Sequence, residues 1–347
     1  DGTRTVWMEV IDTSGKTAVY ADSIMLDRTK PTGAVTINNS DSYVNTTTVS
    51  VRLEYADNMT GVVTLLYKED DAASWGTITI STPQSSGATD TTITLQGSEG
   101  TRTIQLQVID ATRWNSGTIT DTIILDTAKP QIQTTGSITV VYHTGQSRAK
   151  EGDVVTIMAT IQDSGAGIEG ISLDASNIGG SKEQPMHPGT QAGVYIAQVT
   201  LSNTPMGTQS QQVITITAED MAGNQASSTT TVFVDNKSPI FTTVDTVLSV
   251  YKNGDMMQLI AMLDSASYTV SVDLSGIDST YQLGQGTFTS VADGTYTIIY
   301  QIGTANTIPD GSYELKVRAQ DEAGNISWRS TSVLLDNTAP VQLLKAE

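Results

Sequence analysis

One pattern recurs four times along the chain, and each copy ends in an aspartate followed four residues later by a proline. The copies close on Leu26-Asp27-Arg28-Thr29-Lys30-Pro31, Leu125-Asp126-Thr127-Ala128-Lys129-Pro130, Val234-Asp235-Asn236-Lys237-Ser238-Pro239 and Leu335-Asp336-Asn337-Thr338-Ala339-Pro340. A second aspartate precedes each closing one by 15 or 16 residues: Asp12 before Asp27, Asp110 before Asp126, Asp220 before Asp235, Asp321 before Asp336. The copies recur after roughly 100 residues, which is one whole small domain rather than a solenoid unit of about 20–50 residues. The chain therefore reads as an array. A C-terminal scrap occupies 1–27, full repeats run over 28–126, 127–235 and 236–336, and 337–347 begins the next linker. Each full repeat is long enough to bury a core of its own.

Local patterning sets the class. Thr103–Ile109, Val213–Ala218 and Tyr313–Ala319 alternate apolar and polar residues at period two, with Val, Ile, Thr and Tyr enriched. That is half-buried antiparallel strand. No stretch of a dozen residues carries a 3.6 period, so the chain reads as all-β. Seven strands fit each repeat, the count of an immunoglobulin-like sandwich. In the last repeat these are A through Val247–Val250, B at Gln258–Leu263, C at Tyr268–Val272, two middle strands at Thr287–Thr289 and Thr295–Tyr300, F at Tyr313–Ala319 and G at Ser327–Leu335. Gly324 and Asn325 suit the positive φ of a tight F–G turn. The prolines fix φ and donate no ladder bond, so they mark domain entries. Linkers this short predict sandwiches stacked end to end as a rod.

The Asp-x-Ala-Gly-Asn turn at Asp220–Asn224 and Asp321–Asn325, with the closing Leu/Val-Asp-Asn-x-x-Pro, resembles the bacterial immunoglobulin-like repeats that occur in tandem in large extracellular adhesins and surface proteins. The resemblance covers the whole chain. It implies the sandwich fold and an extracellular, cell-surface setting, and it says less about function because such modules serve many hosts. The second copy departs from it, reading Asp110-Ala111-Thr112-Arg113-Trp114-Asn115 without the glycine.

In an immunoglobulin topology the B–C and F–G loops lie at the end where the chain enters, beside the linker aspartate. Three acid sets follow: Asp27, Asp57 and Asp110; Asp126, Asp163 and Asp220; Asp235, Asp264 and Asp321. Three carboxylates held together repel unless a cation lies between them. Calcium accepts six to eight hard oxygens in loose geometry, and the resemblance also implies calcium between domains. The plain alternative is that each aspartate caps its own turn.

Net charge is −19, from 37 acidic against 18 basic residues, which excludes nucleic acid and direct docking on an anionic membrane. Without cysteine there is no disulfide framework or thiolate metal site. No signal peptide or membrane-spanning apolar run is found. The chain opens inside a strand-like run without an initiator methionine, as a piece of a longer protein would.

Catalytic constellations are missing, and no enzyme is expected. His143 and His187 read as surface residues, and Glu69-Asp70-Asp71 as a solvated loop. Gly165-Ala166-Gly167-Ile168-Glu169-Gly170 matches a dinucleotide fingerprint in letters, but Ile171-Ser172-Leu173 continues as strand where that motif requires a helix. Trp75, Trp114 and Trp328 fall at non-equivalent places and read as isolated packing. Asn38, Asn45, Asn58, Asn236 and Asn325 head Asn-x-Ser/Thr triplets, glycosylation acceptors if the source modifies its surface proteins.

These observations predict a non-catalytic stalk segment stiffened by calcium, whose partners are neighbouring repeats of the same protein. One alternative is a self-assembling filament subunit: residues 1–27 supply only an F–G hairpin, marginal alone, and another subunit would complete it by strand addition. Two others are glycan-binding modules, weakened by an aromatic content of 5%, and accessory modules of a secreted enzyme.

Overall fold

A computed structural model describes residues 1–70, 72–133, 138–142 and 145–340. His143, Asp71 and residues 341–347 of the closing linker lie outside the described residues. Contacts divide the chain into two compact units: Asp1–Ile132 with Ile161–Ile171 and Thr217–Ser227, and Gln133–Thr160 with Ser172–Ile216 and Ser228–Glu347.

The architecture is all-β. Gly2–Ile11 and Thr17–Leu26 pair antiparallel from Gly2↔Leu26 to Ile11↔Thr17. Their turn is closed by Asp12 Oδ1, which accepts from the Ser14 and Lys16 N–H groups, while Gly15 takes φ +79°. This hairpin leaves apolar side chains open on both faces, Trp7 at 69% and Ile24 at 66% exposure among them.

Residues beyond Pro31 form two packed sheets. Thr32–Ile37, Thr48–Ala56 and Ser86–Thr94 make one. Tyr43–Val44, Ile119–Leu125, Gly100–Asp110, Val62–Glu69 and Gly76–Gln84 make the other. Alternate residues of both sheets, including Ile37, Leu53, Leu65, Ile104 and Leu106, are fully buried between them. The strand Gly100–Asp110 shows the alternation without a break, with Arg102, Ile104, Leu106, Val108 and Asp110 inside. Its one buried cation is paired: Arg102 Nη2 donates to Glu69 Oε1 at 2.7 Å, and Glu69 is 1% exposed. Glu69 is therefore a core residue rather than part of a solvated loop, because the strand pairing carries it opposite Ile104.

The last two sheets repeat this plan. Phe241–Thr246, Met256–Leu263, Thr295–Gln301 and Thr289–Ala292 face Val250–Tyr251, Ile326–Leu335, Gly311–Gln320 and Thr269–Val272 across a core containing Tyr251, Leu259, Tyr296 and Val317. In both sandwiches the first strand breaks in two. Its leading half pairs antiparallel with the next strand, and its short second half pairs parallel with the last strand. The sequence places strand A at Val247–Val250. The structure instead makes Val247–Ser249 the crossing between the two sheets and Val250 the start of the short parallel strand, because one strand cannot bond to both. Two further sheets lie between these sandwiches in sequence, Gln131–Ile132 with Ile138–Val141, Val154–Gln162, Val194–Thr200 and His187–Pro188, and Gln184–Pro185 with Ile168–Asp174, Gln209–Asp220 and Gln225–Asp235. This topology is immunoglobulin-like. No helix among the described residues is long and apolar enough to cross a membrane.

Candidate metal centres

The F–G turns fix one acid of each set. Asp220 Oδ1 accepts from the Ala222 and Asn224 N–H groups, and Asp321 Oδ1 from the Asn325 N–H. Gly223 and Gly324 take φ +86° and +80°. Asn325 needs no positive φ. Its amide, like that of Asn224, bonds twice, to the second oxygen of its own aspartate and to a linker carbonyl: Asn224 Nδ2 to Asp220 Oδ2 and Asp126 O, Asn325 Nδ2 to Asp321 Oδ2 and Asp235 O. The divergent turn at Asp110 keeps the geometry with other residues. Arg113 takes φ +74° where the glycine would stand, and Trp114 Nε1 reaches the Asp27 carbonyl at 3.2 Å. No amide there serves Asp110 Oδ2, which is buried without a hydrogen-bond partner.

The B–C loops fix the second acid. Asp57 Oδ2 accepts from the Met59 and Gly61 N–H groups at 3.0 and 2.7 Å. Asp163 Oδ2 accepts from those of Gly165 and Gly167 at 3.0 and 2.8 Å. Gly61 and Gly167 adopt φ +81° and +84°, and their carbonyls accept from the Ala111 and Met221 N–H groups of the F–G turns. Two loops distant in sequence are thereby locked side by side. In both, one oxygen is spent on the loop while the other, Oδ1 of Asp57 and of Asp163, is buried and unpartnered.

The linker supplies the third acid. Asp27 Oδ2 accepts from the Thr60 hydroxyl at 2.7 Å and Oδ1 from the Thr29 N–H. The Thr60 hydroxyl, then the Thr29 N–H, hold this carboxyl below its ordinary range. Asp126 accepts from the Ala128 and Ala166 N–H groups. Gly165 makes that approach feasible, because a Cβ there would lie 2.2 Å from Asp126 Oδ2.

Asp27, Asp57 and Asp110 thus converge, as do Asp126, Asp163 and Asp220, with one oxygen from each within 4.8 Å of the others. Asp110, Asp126 and Asp220 are 0% exposed. At that separation two unit charges repel by about 3.5 kcal/mol at an effective dielectric constant near 20. No ion pair among the described residues reaches any of the six. The donor set fits one class of ligand. All-oxygen, thiolate-free sites suit Mg²⁺, Ca²⁺ or Mn²⁺. Oxygens sharing a Ca²⁺ at about 2.4 Å lie up to roughly 4.8 Å apart, whereas Mg²⁺ at about 2.1 Å draws them closer into an octahedron.

The third set is arranged differently. Asp235 Oδ2 accepts from Arg148 Nη1 at 3.0 Å and Gln209 Nε2 at 2.9 Å, and Oδ1 from the Lys237 N–H. Asp264 Oδ2 accepts from Lys237 Nζ at 3.0 Å, and Oδ1 from the Ile240 N–H and the Tyr268 hydroxyl. Desolvation pulls Asp264 upward, but these donors outweigh it and hold the carboxyl below its ordinary value. Burial raises Asp321, with the Asn325 donors opposing and the Asp235 charge adding to it. Of these residues, Thr60, Trp114, Gly165, Lys237 and Arg148 escape a reading based on aspartate spacing. Two of them leave a mark in the repeat alignment: the position two after the linker aspartate is Lys237 where it is otherwise Thr29, Ala128 or Thr338, and Trp114 stands where the later turns carry Asn224 and Asn325.

No protein-family model and no curated protein sequence matches the chain. Among solved structures it is similar to the Escherichia coli adhesin FdeC, at 14% identity over 88% of this chain and 97% of that one, with a TM-score of 0.39. It is similar also to a 1.5-MDa bacterial ice-binding adhesin, at 16% identity over 89% and 99%, with a TM-score of 0.41. A third is a Ca²⁺-stabilized adhesin with which an Antarctic bacterium binds ice, at 19% identity over 97% of this chain and 82% of that one, with a TM-score of 0.44. All three are bacterial adhesins.

Proposed function

We propose that this chain is a non-catalytic, extracellular stalk segment of a bacterial surface protein, made of immunoglobulin-like repeats at 28–126, 127–235 and 236–336 behind the F–G hairpin of 1–27. In this reading its linkers are stiffened by calcium at Asp27, Asp57 and Asp110, and at Asp126, Asp163 and Asp220. The observation that carries the calcium reading is the set of three buried, unpartnered oxygens, Asp57 Oδ1, Asp110 Oδ2 and Asp163 Oδ1, which belong to these two clusters. A carboxylate oxygen buried without a donor costs about 1–3 kcal/mol or more, and a bound cation removes that cost. Turn capping accounts for one oxygen of each of these aspartates and leaves the other unexplained.

Sites of this type on extracellular modules bind calcium with dissociation constants on the order of 10⁻⁴–10⁻³ M. At calcium about ten times that constant, each adds roughly 1.4 kcal/mol by mass action. That stiffens a linker without deciding whether a sandwich folds. The test is thermal unfolding of the 347-residue chain in millimolar calcium and in excess chelator. Calcium should raise the midpoint by several degrees, and Asp57→Asn with Asp163→Asn should abolish the rise. Superimposable curves would leave the aspartates as turn caps.

The open hairpin favours a second reading, a self-assembling subunit. Val6, Met8, Tyr20 and Ile24 line one apolar cleft on it. Sedimentation across a concentration series decides: association abolished by Val6→Lys with Ile24→Lys supports assembly between chains, and a monomer at all concentrations rejects it.

A further inference from the structure

The third acid set carries the same three aspartate positions as the other two, yet it already contains its counter-ions. We infer that Lys237 and Arg148 are built-in replacements for the divalent cation, so that this set holds its loops by internal ion pairs and takes up no metal. The inference rests on the calcium reading of the first two sets and separates the third from them.

Three observations converge. First, every carboxylate oxygen of the set has a donor: Asp235 from Arg148, Gln209 and the Lys237 N–H, Asp264 from Lys237, Ile240 and Tyr268, Asp321 from Asn325. None resembles the orphaned oxygens of the other sets. Second, the Asp264 carboxylate is turned. Asp57 and Asp163 bind their own loops through N–H groups two and four residues ahead, and a positive-φ glycine stands at the fourth place. The Asp264 loop has Tyr268 at that place, its ring hydroxyl donates to Asp264, and the free oxygen faces the Lys237 ammonium. Third, Arg148 is fixed before it meets Asp235. Its guanidinium lies 4.7 Å from the Phe233 ring centroid, and its Nε is 3.2 Å from Glu322 Oε2. Glu322 is itself anchored by the N–H of Ser147. A cleft of about 520 Å³ lined by these groups opens beside them, so water and salt reach the pairs.

Two monovalent side-chain cations supply the charge of one divalent ion. They are tethered, so no concentration of chelator removes them. The consequence is a chain with two linkers that respond to calcium and one that does not.

Calcium titration of the whole chain at low ionic strength, read as ions bound per chain, tests this. The wild type should bind two. Lys237→Thr with Arg148→Gln, which restores the Thr29-like residue and leaves three uncompensated carboxylates, should bind three. Ala128→Lys places an ammonium at the equivalent position of the second set and should leave one. That reciprocal variant keeps the test decisive if the double variant fails to fold. Three ions in the wild type, or two in every variant, overturn the inference and leave the calcium reading standing. No ions in any of the chains overturn both.

Discussion

At the scale of single residues, small side chains decide whether a carboxylate can enter a site. Gly165 is the clearest case, since its backbone carries no positive φ and its role is steric alone. Gly165→Ala should push Asp126 from the second cluster and, on the calcium reading proposed above, weaken binding there by about tenfold or more, equivalent to roughly 1.4 kcal/mol, while binding at the first cluster stays unchanged; titration resolving the two sites checks it. Arg113 is the converse case, a side chain where glycine belongs. A non-glycine residue in the left-handed region costs about 1–2 kcal/mol, partly offset by the greater freedom of an unfolded glycine. Arg113→Gly should therefore stabilise the first sandwich by about 0.5–1 kcal/mol in denaturant unfolding. Asp27 sets a pH response. Its folded carboxyl lies below the ordinary 3.8, so its contribution is complete above that value and is lost as pH falls through the depressed one. In chelator, wild type and Asp27→Asn should converge in stability only at the acid end of that window, as pH-dependent melts will report.

At the scale of elements, alternation along a strand is enough to bury a core, and it places charged residues inside where the register demands. Arg102 shares the inward face of its strand with Ile104, Leu106 and Val108, and Glu69 is paired opposite Ile104. Removing one partner of such a pair leaves an uncompensated buried charge, and Arg102→Ala should cost about 3–5 kcal/mol. Replacing both with apolar residues of similar volume should cost far less, and chemical denaturation of the two variants distinguishes them. Strand A was legible only as an apolar stretch. Its division into Phe241–Thr246 and Val250–Tyr251 depends on two different strands offering free edges, which no local propensity encodes.

At the scale of the whole molecule, charge is the dominant property, and the acid sets concentrate it. Screening acts on them in opposite directions. The Debye length falls from about 30 Å at 0.01 M to about 3 Å at 1 M salt. In excess chelator, added sodium chloride should therefore slow amide exchange at Gly61 and Gly167, where like charges repel. It should hasten exchange at Ile240, whose N–H is held by the salt-bridged Asp264. Equal responses at all three would contradict the division of the sets.

The sequence by itself determined the period, the all-β class and the aspartate positions, because alternation, turn chemistry and proline placement are local properties. It also carried the grouping of two acid sets, since repeat phase assigns each aspartate to a loop and the topology assigns the loops to one end. Tertiary structure decided the rest. Which carboxylate oxygen is spent on its own loop and which is left without a donor depends on glycines at fixed φ. Whether an acid set keeps oxygens without donors or meets side-chain cations depends on residues as distant as Arg148 and Asp235, whose charges interact only after strand pairing brings them within 3.0 Å.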